Sequence, residues 1–157
     1  MITLALALAL AIPSPVPAAR AALHAQGPLL LRAKLDDRSS VVAFGGRTPV
    51  AAVMEYSGRW KALPQGSVRV KPLNPLPGAV RAPGMVRLAA RFSAASRILA
   101  AGFWLDTSAV RAAPKGTFTN FVARALPRQV STGRHYVVAW AGAPGEALVR
   151  VWSFRVR

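Results

Sequence analysis

The sequence predicts an all-β protein in which a Greek-key β-sandwich follows a small β-rich domain. Short apolar runs recur at close spacing with turn residues between them, which is typical of sandwiches and barrels. The last of these runs alternates strictly: Trp152, Phe154 and Val156 are apolar, and the residues between and after them are polar or charged. Because successive side chains of a strand point to opposite faces, this segment is predicted to cover a core with one face only.

The composition combines a core-forming apolar fraction with a large excess of positive charge. Hydrophobic residues make up 53% of the chain, which is enough to bury a core and argues against disorder. The formal charge is +16, and such an excess favours contact with polyanions. The codon usage of a GC-rich genome would also give many arginines, spread over all solvated faces. The chain has no cysteine, which excludes disulfides, zinc–thiolate sites and a cysteine nucleophile.

Residues 1–25 are predicted to be a secretory signal peptide. An apolar run at residues 4–12 is too short to span a bilayer, and small residues follow it. Small-x-small patterns suitable for cleavage occur at residues 16–18, 19–21 and 23–25. Pro13, Pro15 and Pro17 are expected to prevent a helix. We therefore expect a secreted or cell-envelope protein whose mature fold begins after Ala25; an alanine-rich tail without export is the alternative.

Residues 28–71 are predicted to form the small β-rich domain. Residues 29–34 and 40–44 have the composition of strands, with a cluster of turn residues between them. Residues 48–56 allow two interpretations. A threonine cap, a proline at the first helical position and a following glycine favour a short helix, whereas the turn at residues 57–58 favours the first strand of a hairpin.

The Gly-x-Trp-x-x-Leu element at residues 58–63 lies among these short strands and resembles bacterial SH3-like β-barrels. The helical alternative for residues 48–56 would instead resemble the small stalk-type domains of exported bacterial enzymes. Neither resemblance implies a functional site. Tyr56 and Trp60 are therefore interpreted as core residues.

A proline-rich segment at residues 72–78 is predicted to link this domain to the sandwich at residues 79–157. Its three prolines exclude a helix or a central strand and are typical of a semi-rigid spacer. An edge strand of the sandwich that begins inside this segment is the alternative. Further strands are predicted at residues 85–92, 98–105 and 117–123, followed by a hairpin within residues 126–157.

The second half of the chain resembles bacterial Ig-like domains. The resemblance rests on the Pro-Gly opening that leads to residues 86–93, on the middle strand at 103–106, and on the final hairpin formed by 133–138 and 152–156. It implies a sandwich that serves exported enzymes, adhesins and envelope proteins as a spacer or binding module. A narrower resemblance is to periplasmic copper-binding proteins of the CopC type, in which His24 would supply one ligand. Because the Asp-Gly-His turn of that family is absent, no metal or other cofactor is predicted.

No catalytic constellation is predicted, and the chain is interpreted as non-enzymatic. His135 would have to act as the base of a Ser-His-acid arrangement, oriented by Asp106 or Glu146. A histidine at a strand edge is the simpler interpretation of its local sequence. The neighbouring carboxylates Asp36 and Asp37 are interpreted as turn formers, since adjacent side chains diverge and do not suit paired acid chemistry.

Tryptophans on a strand face could stack on sugars or bases if they were exposed. Trp152 is interpreted as a core residue because it alternates with arginines, and Trp104 and Trp140 are given the same interpretation. Arg150 shares the inward face of Trp152, which requires either a bulge or a position at the rim of the sandwich.

Two functions follow from these predictions. The first is a non-catalytic exported module that acts in envelope structure or associates with an envelope protein. The second is a module that binds an anionic polymer: an acidic glycan, a wall polymer or nucleic acid. Candidate polymer contacts are the cations that recur on single strand faces, namely Arg69, Lys71, Arg87, Arg91, Arg155 and Arg157. Neither a small-molecule substrate nor a transmembrane span is expected.

Overall fold

The computed structural model describes residues 11–157. This part of the chain forms one helix, α1 (Val16–Leu23), and fifteen strands. In chain order the strands are β1 (Leu29–Lys34), β2 (Ser39–Phe44), β3 (Val50–Tyr56), β4 (Trp60–Ala62), β5 (Arg69–Asn74), β6 (Val80–Arg81), β7 (Gly84–Val86), β8 (Ala89–Ser93), β9 (Ala100–Leu105), β10 (Ser108–Val110), β11 (Ala112–Thr117), β12 (Asn120–Ala125), β13 (Arg128–Val130), β14 (Gly133–Ala143) and β15 (Glu146–Val156). The predicted all-β class is confirmed.

The strands form three large sheets and one short ribbon. The N-terminal sheet has the order β1-β2-β3-β4, the middle sheet β10-β9-β14-β15-β6, and the outer sheet β11-β12-β8-β5. Strands β7 and β13 pair as the ribbon. All pairings are antiparallel except β15 with β6, which are parallel. The layers stack as α1, N-terminal sheet, middle sheet and outer sheet, because three separate apolar cores lie between them.

The middle and outer sheets form an Ig-like sandwich. In an Ig-like sandwich, strands A, B, E and D form one sheet and C, F and G form the other. Strands β5, β8, β12 and β11 take the first four places in that order, and β9, β14 and β15 take the other three. The core between the sheets includes Phe92, Trp152, Phe154 and Val156, so the inward face predicted for the last strand is confirmed.

The N-terminal sheet packs on the other face of the middle sheet. Val41 and Val53 of the N-terminal sheet contact Val138 and Val149 of the middle sheet in the second core. The third core lies on the far side, where α1 covers the N-terminal sheet. The hairpin interpretation of residues 48–56 is correct, since β3 pairs with β4. The structure does not show the SH3-like barrel, because this sheet is an open meander whose faces are both covered by other elements.

Helix α1 corrects the expectation that the N-terminal prolines prevent a helix. Pro15 is the N-cap residue and Pro17 lies in the first turn, where no intrahelical partner is needed for the missing N–H group. Ala19 is fully buried against the N-terminal sheet. All three predicted cleavage patterns overlap α1 or the two residues after it, so the structure includes them in its fold. The part of the predicted signal peptide at residues 1–10 lies outside the described residues.

The predicted linker begins inside a strand. Strand β5 starts at Arg69 and pairs with β8 as far as Asn74, so the edge-strand alternative is correct for the first part of residues 72–78. Pro72 is tolerated because β5 is the edge of the outer sheet. The next segment is held by Trp152, whose Nε1 donates to the Pro75 carbonyl over 2.9 Å. Division of the chain into two domains near this segment stays a prediction.

Two predicted strands are interrupted in the structure. Residues 85–92 form β7 and β8, which pair with different partners, so the chain changes sheets between them. Residues 117–123 span the tight turn between β11 and β12, where Thr117 Oγ1 accepts from the Asn120 N–H group. Phe118 at the tip of this turn is exposed. Because both segments are largely apolar, their composition did not indicate where the chain changes direction.

Candidate anion-binding surface

The outward face of the outer sheet carries a row of cations. Lys71 pairs with Arg91, Arg91 pairs with Val122, and Val122 pairs with Lys115, so these four residues cross all four strands. Directly paired residues of an antiparallel sheet lie on the same face. The opposite face of the same strands supplies Val70 and Phe92 to the sandwich core, which leaves the row in solvent.

Two further cations flank this row. On one side of the row, Arg124 pairs with Ala89 and Ala113. On the other side, Arg69 pairs with Ser93 and lies two residues from Lys71 along β5. We call the five exposed residues the cationic face: Arg69, Lys71, Arg91, Lys115 and Arg124. Part of it is a shallow depression of about 560 Å³, where Arg91, Lys115 and Arg124 are joined by Thr117 and Asn120. The hydroxyl and amide groups add neutral donors to the charged ones.

The cationic face has no carboxylate among its paired rows. Lys34–Asp37 and His135–Asp106 are the ion pairs found within residues 11–157, and neither lies on this face. Like charges directly opposite each other in a sheet repel, as Lys71 and Arg91 do. Arg91 Nη1 donates to Asn120 Oδ1 over 3.2 Å, which orients the guanidinium without neutralising it.

Arg69 lies at the margin of this face and is partly engaged. Its Nη1 donates to the carbonyls of Gly66 and Val68 over 2.7 and 2.9 Å. Hydrogen bonds from the Ser67 hydroxyl and N–H group lower the pKa of Glu146, and the charge of Arg69 adds to the effect. The cations of this face that are not bonded to main-chain carbonyls are therefore Lys71, Arg91 and Lys115 of the row and Arg124 beside it.

The six cations predicted from the sequence do not share one surface. Arg69, Lys71 and Arg91 lie on the cationic face, whereas Arg87 is exposed in the connection between β7 and β8. Arg155 and Arg157 lie on the middle sheet instead. There Arg155 pairs with Arg134, and with Arg157 they line a separate depression of about 220 Å³.

Sequence reasoning missed Lys115 and Arg124. Strand β11 reads Ala-Ala-Pro-Lys-Gly-Thr, which lacks the β-branched and aromatic residues that mark a strand. Arg124 follows Asn120 and Val122 with period two, which was the available signal, but the predicted strand ended before it. Pairing of β11 with β12 then brings both cations beside Arg91.

His135 and Asp106, the base and one of the two acids that a Ser-His-acid arrangement would need, lie together in the structure. His135 Nδ1 lies 2.9 Å from Asp106 Oδ2, and its Nε2 lies 2.7 Å from the Ser131 carbonyl oxygen. Asp106 Oδ1 also accepts from the Tyr136 N–H group over 2.9 Å. Both ring nitrogens thus have acceptors, so neither is directed at a nucleophile. Glu146, the alternative acid, is bonded to Ser67 instead.

The surroundings of His135 favour its charged form. Burial alone would lower the pKa of His135, but the hydrogen bond to Asp106, the bond to the Ser131 carbonyl and the charge of Asp106 together raise it above the ordinary 6.5. A protonated imidazole donates from both nitrogens, which matches the two acceptors. The pair joins the β9–β10 turn to β14, and this geometry supports the structural interpretation of His135.

The tryptophans are not available as a stacking platform on the cationic face. Trp152 is buried in the sandwich core. Trp104 and Trp140 are half-buried in the second core, on the face of the middle sheet that the N-terminal sheet covers. Trp60 packs against the third core, and its Nε1 donates to the Pro13 carbonyl over 2.7 Å.

For Arg150, the predicted position at the rim of the sandwich is correct. Strands β14 and β15 pair without a bulge, and Arg150 Nη1 donates to the Val70 carbonyl.

Within residues 11–157, no cluster of three or more His, Cys, Asp or Glu side chains is placed to hold a metal ion. The structure uses His24, the proposed copper ligand, as the C-cap of α1. In the same residues, no helix has both the length and the apolar character needed to cross a bilayer.

The comparisons with known proteins give a similarity in fold only. No protein-family model matches the chain, and no curated protein matches it. Among solved structures, the chain is similar to the tandem Ig domains of titin, with a TM-score of 0.40 and 12% sequence identity over 76% of this chain. The chain spans 62% of the length of that titin structure. The Ig-like architecture of the sandwich rests on its strand order, and the CopC-type and SH3-like resemblances have no counterpart among these comparisons.

Proposed function

We propose that the protein is a non-catalytic exported module that binds an anionic polymer through its cationic face. The observation that carries this proposal is the row of Lys71, Arg91 and Lys115 across four paired strands, with no carboxylate between them. Bound anionic groups would relieve the repulsion between Lys71 and Arg91. Arginine suits this role because its planar guanidinium can hold a carboxylate, sulfate or phosphate group with two parallel hydrogen bonds.

The dimensions of the row favour a polymer over a single small anion. Neighbouring strands lie about 4.8 Å apart, so Lys71 and Lys115 at opposite edges are separated by roughly 14 Å. A chain with repeated negative charges can engage all three cations at once, whereas a single small anion contacts one or two. The paired rows of this face carry no aromatic side chain on which bases could stack. An acidic glycan or wall polymer therefore suits the surface better than single-stranded nucleic acid.

The location of the protein completes the proposal. The apolar run at residues 4–12 favours export to the envelope, where acidic polymers are accessible, with α1 kept in the exported fold because Ala19 is buried against the N-terminal sheet. The test is the N-terminal residue and the cell fraction of the mature protein. Recovery outside the cytoplasm supports the export proposal. Cytoplasmic protein with an intact Met1 would contradict export and make nucleic acid the first polymer to test.

The binding test compares two triple variants of equal charge. The first, Lys71→Gln/Arg91→Gln/Lys115→Gln, removes the row. The second, Arg47→Gln/Arg59→Gln/Lys61→Gln, removes three exposed cations from the N-terminal sheet and its turns. Affinity for heparin is measured as a function of salt concentration, with single-stranded DNA as the second probe.

We expect only the row variant to weaken heparin binding. Each lost contact lowers the slope of log affinity against log salt by about one, so the row variant should lose about three. The control variant should keep the wild-type slope. An equal loss in both variants would mean that the overall charge, not this face, attracts the polymer. In that case a structural or protein-association role in the envelope would replace the proposal.

A further inference from the structure

An apolar cavity of about 680 Å³ opens on the side of the sandwich where β9 faces β11. It exists because Ala101 on β9 and three inward positions of β11 carry only small side chains. Ala101 lies on the same face as Phe103 and Leu105, which are buried, yet Ala101 itself is exposed. On β11 the inward positions are Ala112, Pro114 and Gly116, which pair with the inward residues of β12. No bulky side chain fills the space between the two edges.

The wall of the cavity is formed by large apolar side chains of the sandwich core. Phe92, Ile98, Phe103, Val110 and Phe121 line it. A volume of several hundred Å³ with an apolar wall and few polar groups is characteristic of a small-molecule pocket. No aspartate or glutamate is among the residues that line it. The cavity and the cationic face lie on opposite sides of β11 and β12, and they meet near the turn between these strands, where Gly116, Thr117 and Phe121 line both.

One arginine lines this cavity and a second lies beside its rim. Arg111 lines it where β11 begins, whereas Arg97 is outside the lining and stacks on the rim residue Phe118, with its Cζ 4.2 Å from the centre of that ring. The six residues of β11 span roughly 20 Å. Leu99 and Phe118 form an exposed apolar rim near Arg97, each 66% exposed. The cavity therefore has an apolar wall, with one arginine in its lining and a second beside its rim.

The free strand edges beside the cavity are poor sites for an added peptide strand. Pro114 lies in the middle of the β11 edge and has no N–H group to offer. The free edge of β9 is short, because β10 already pairs with its residues 103–105. Main-chain pairing would thus contribute few hydrogen bonds. The favoured ligand instead fills the cavity with an apolar chain and carries a charged group at one end.

We propose that this cavity binds a single-chain anionic amphiphile of the fatty-acid class. The alkyl chain would lie along β11 against the apolar wall, and the carboxylate would pair with Arg97 or Arg111. This site does not depend on the proposed polymer binding.

The test uses palmitate and palmityl alcohol, which differ in the charged end group. Binding is measured at high salt by displacement of a fluorescent fatty acid. Ala112→Leu fills the cavity, and Ala113→Leu places the same side chain on the opposite, exposed face of β11. Arg97→Gln and Arg111→Gln remove the charges at the rim and in the lining, and Arg59→Gln in the exposed turn between β3 and β4 is the control for an equal change in net charge.

We expect wild-type protein to prefer palmitate to the alcohol. Ala112→Leu should lower the affinity for palmitate at least tenfold and keep or raise the melting temperature, whereas Ala113→Leu should bind normally. One of the two arginine variants should lose about tenfold for palmitate, as expected for one charged hydrogen bond, with the alcohol unaffected. The absence of palmitate binding, or equal losses in Ala112→Leu and Ala113→Leu, would overturn the proposal. A dimer that Ala112→Leu dissociates would assign the cavity to a second copy of the chain.

Discussion

The N-terminal sheet and the outer sheet are both four-stranded, and they pack on opposite faces of the same middle sheet. Their second faces differ. The N-terminal sheet presents Val42, Phe44 and Met54 to helix α1, and all three are fully buried. The outer sheet presents the cationic face to solvent. Since burial of a sheet on both sides leaves no surface for recognition, the binding functions proposed for this protein belong to the outer sheet and its edge.

This difference is visible in the burial of single strands. From Ser40 to Phe44, every residue of β2 is buried, as in strands with cover on both faces. Strand β5 instead alternates between exposed Arg69 and Lys71 and buried Val70 and Pro72. The middle sheet has to be apolar on both faces, and β14 accordingly sends Val137 to the sandwich core and Val138 to the second core.

The largest predicted effect tests whether these layers unfold as one unit. Phe44→Ala removes a fully buried ring from the third core, and Phe92→Ala removes one from the sandwich core. Each should lower the free energy of unfolding by about 3–5 kcal/mol. Because the second core joins the N-terminal sheet to the middle sheet, we expect one transition that both variants shift together. Two transitions in calorimetry, each shifted by one variant alone, would show independent domains.

A smaller effect is expected from Ala19→Asp, which tests the cover of the N-terminal sheet. Ala19 is fully buried between α1 and this sheet, so a carboxylate there would lose its hydration without a partner. We expect a loss of about 3 kcal/mol in the free energy of unfolding, measured by denaturant titration. Ala22→Asp places the same charge on the exposed side of α1 and should have little effect. If the two variants are equally stable, α1 does not contribute to the folded protein in solution.

The sequence predicted which face of a strand is buried better than it predicted which strands pair with each other. Period-two alternation at Trp152, Phe154 and Val156 identified the inward face of β15 correctly. The same pattern could not show that Arg91 and Arg155 lie on different sheets, because pairing depends on contacts between residues far apart in the chain. Strand β11 was missed for a related reason: its small inward residues carry no strand signal, and they are also what leaves the cavity open.

A third prediction concerns the junction between the N-terminal sheet and the sandwich. Gly66 has a φ of +54°, and a Cβ at this position would collide with the Glu146 carboxylate that accepts from Ser67. Gly66→Ala should therefore cost about 1–3 kcal/mol of unfolding free energy. Gly58→Ala is the control, since Gly58 also has a positive φ, of +82°, but open space around its Cβ position. Equal melting temperatures of the two variants would contradict a role for the Glu146 contact.

The smallest predicted effect is a pH dependence of stability that is caused by His135 in the middle sheet. The pKa of His135 is raised in the folded protein, because bonds to Asp106 and Ser131 outweigh the opposing effect of burial. The stability that this pair contributes is thus fully present below pH 6.5, the ordinary pKa, and is lost as the pH rises through the folded pKa. Melting temperatures of wild type and Asp106→Asn should converge over this range.

Glu146 provides a contrast to His135 at the junction between the sheets. Its pKa is lowered by the bonds from Ser67 and the charge of Arg69, so its contribution is present above its ordinary value of 4.5 and is lost as the pH falls through the folded pKa. Glu146→Gln should therefore differ from wild type at neutral pH and converge with it in acid. Asp106→Asn thus reports on the His135–Asp106 pair inside the middle sheet. Glu146→Gln reports on the contact between Glu146 and Ser67, which holds the connection from the N-terminal sheet against the middle sheet. Convergence of both variants in the same pH range would contradict these assignments.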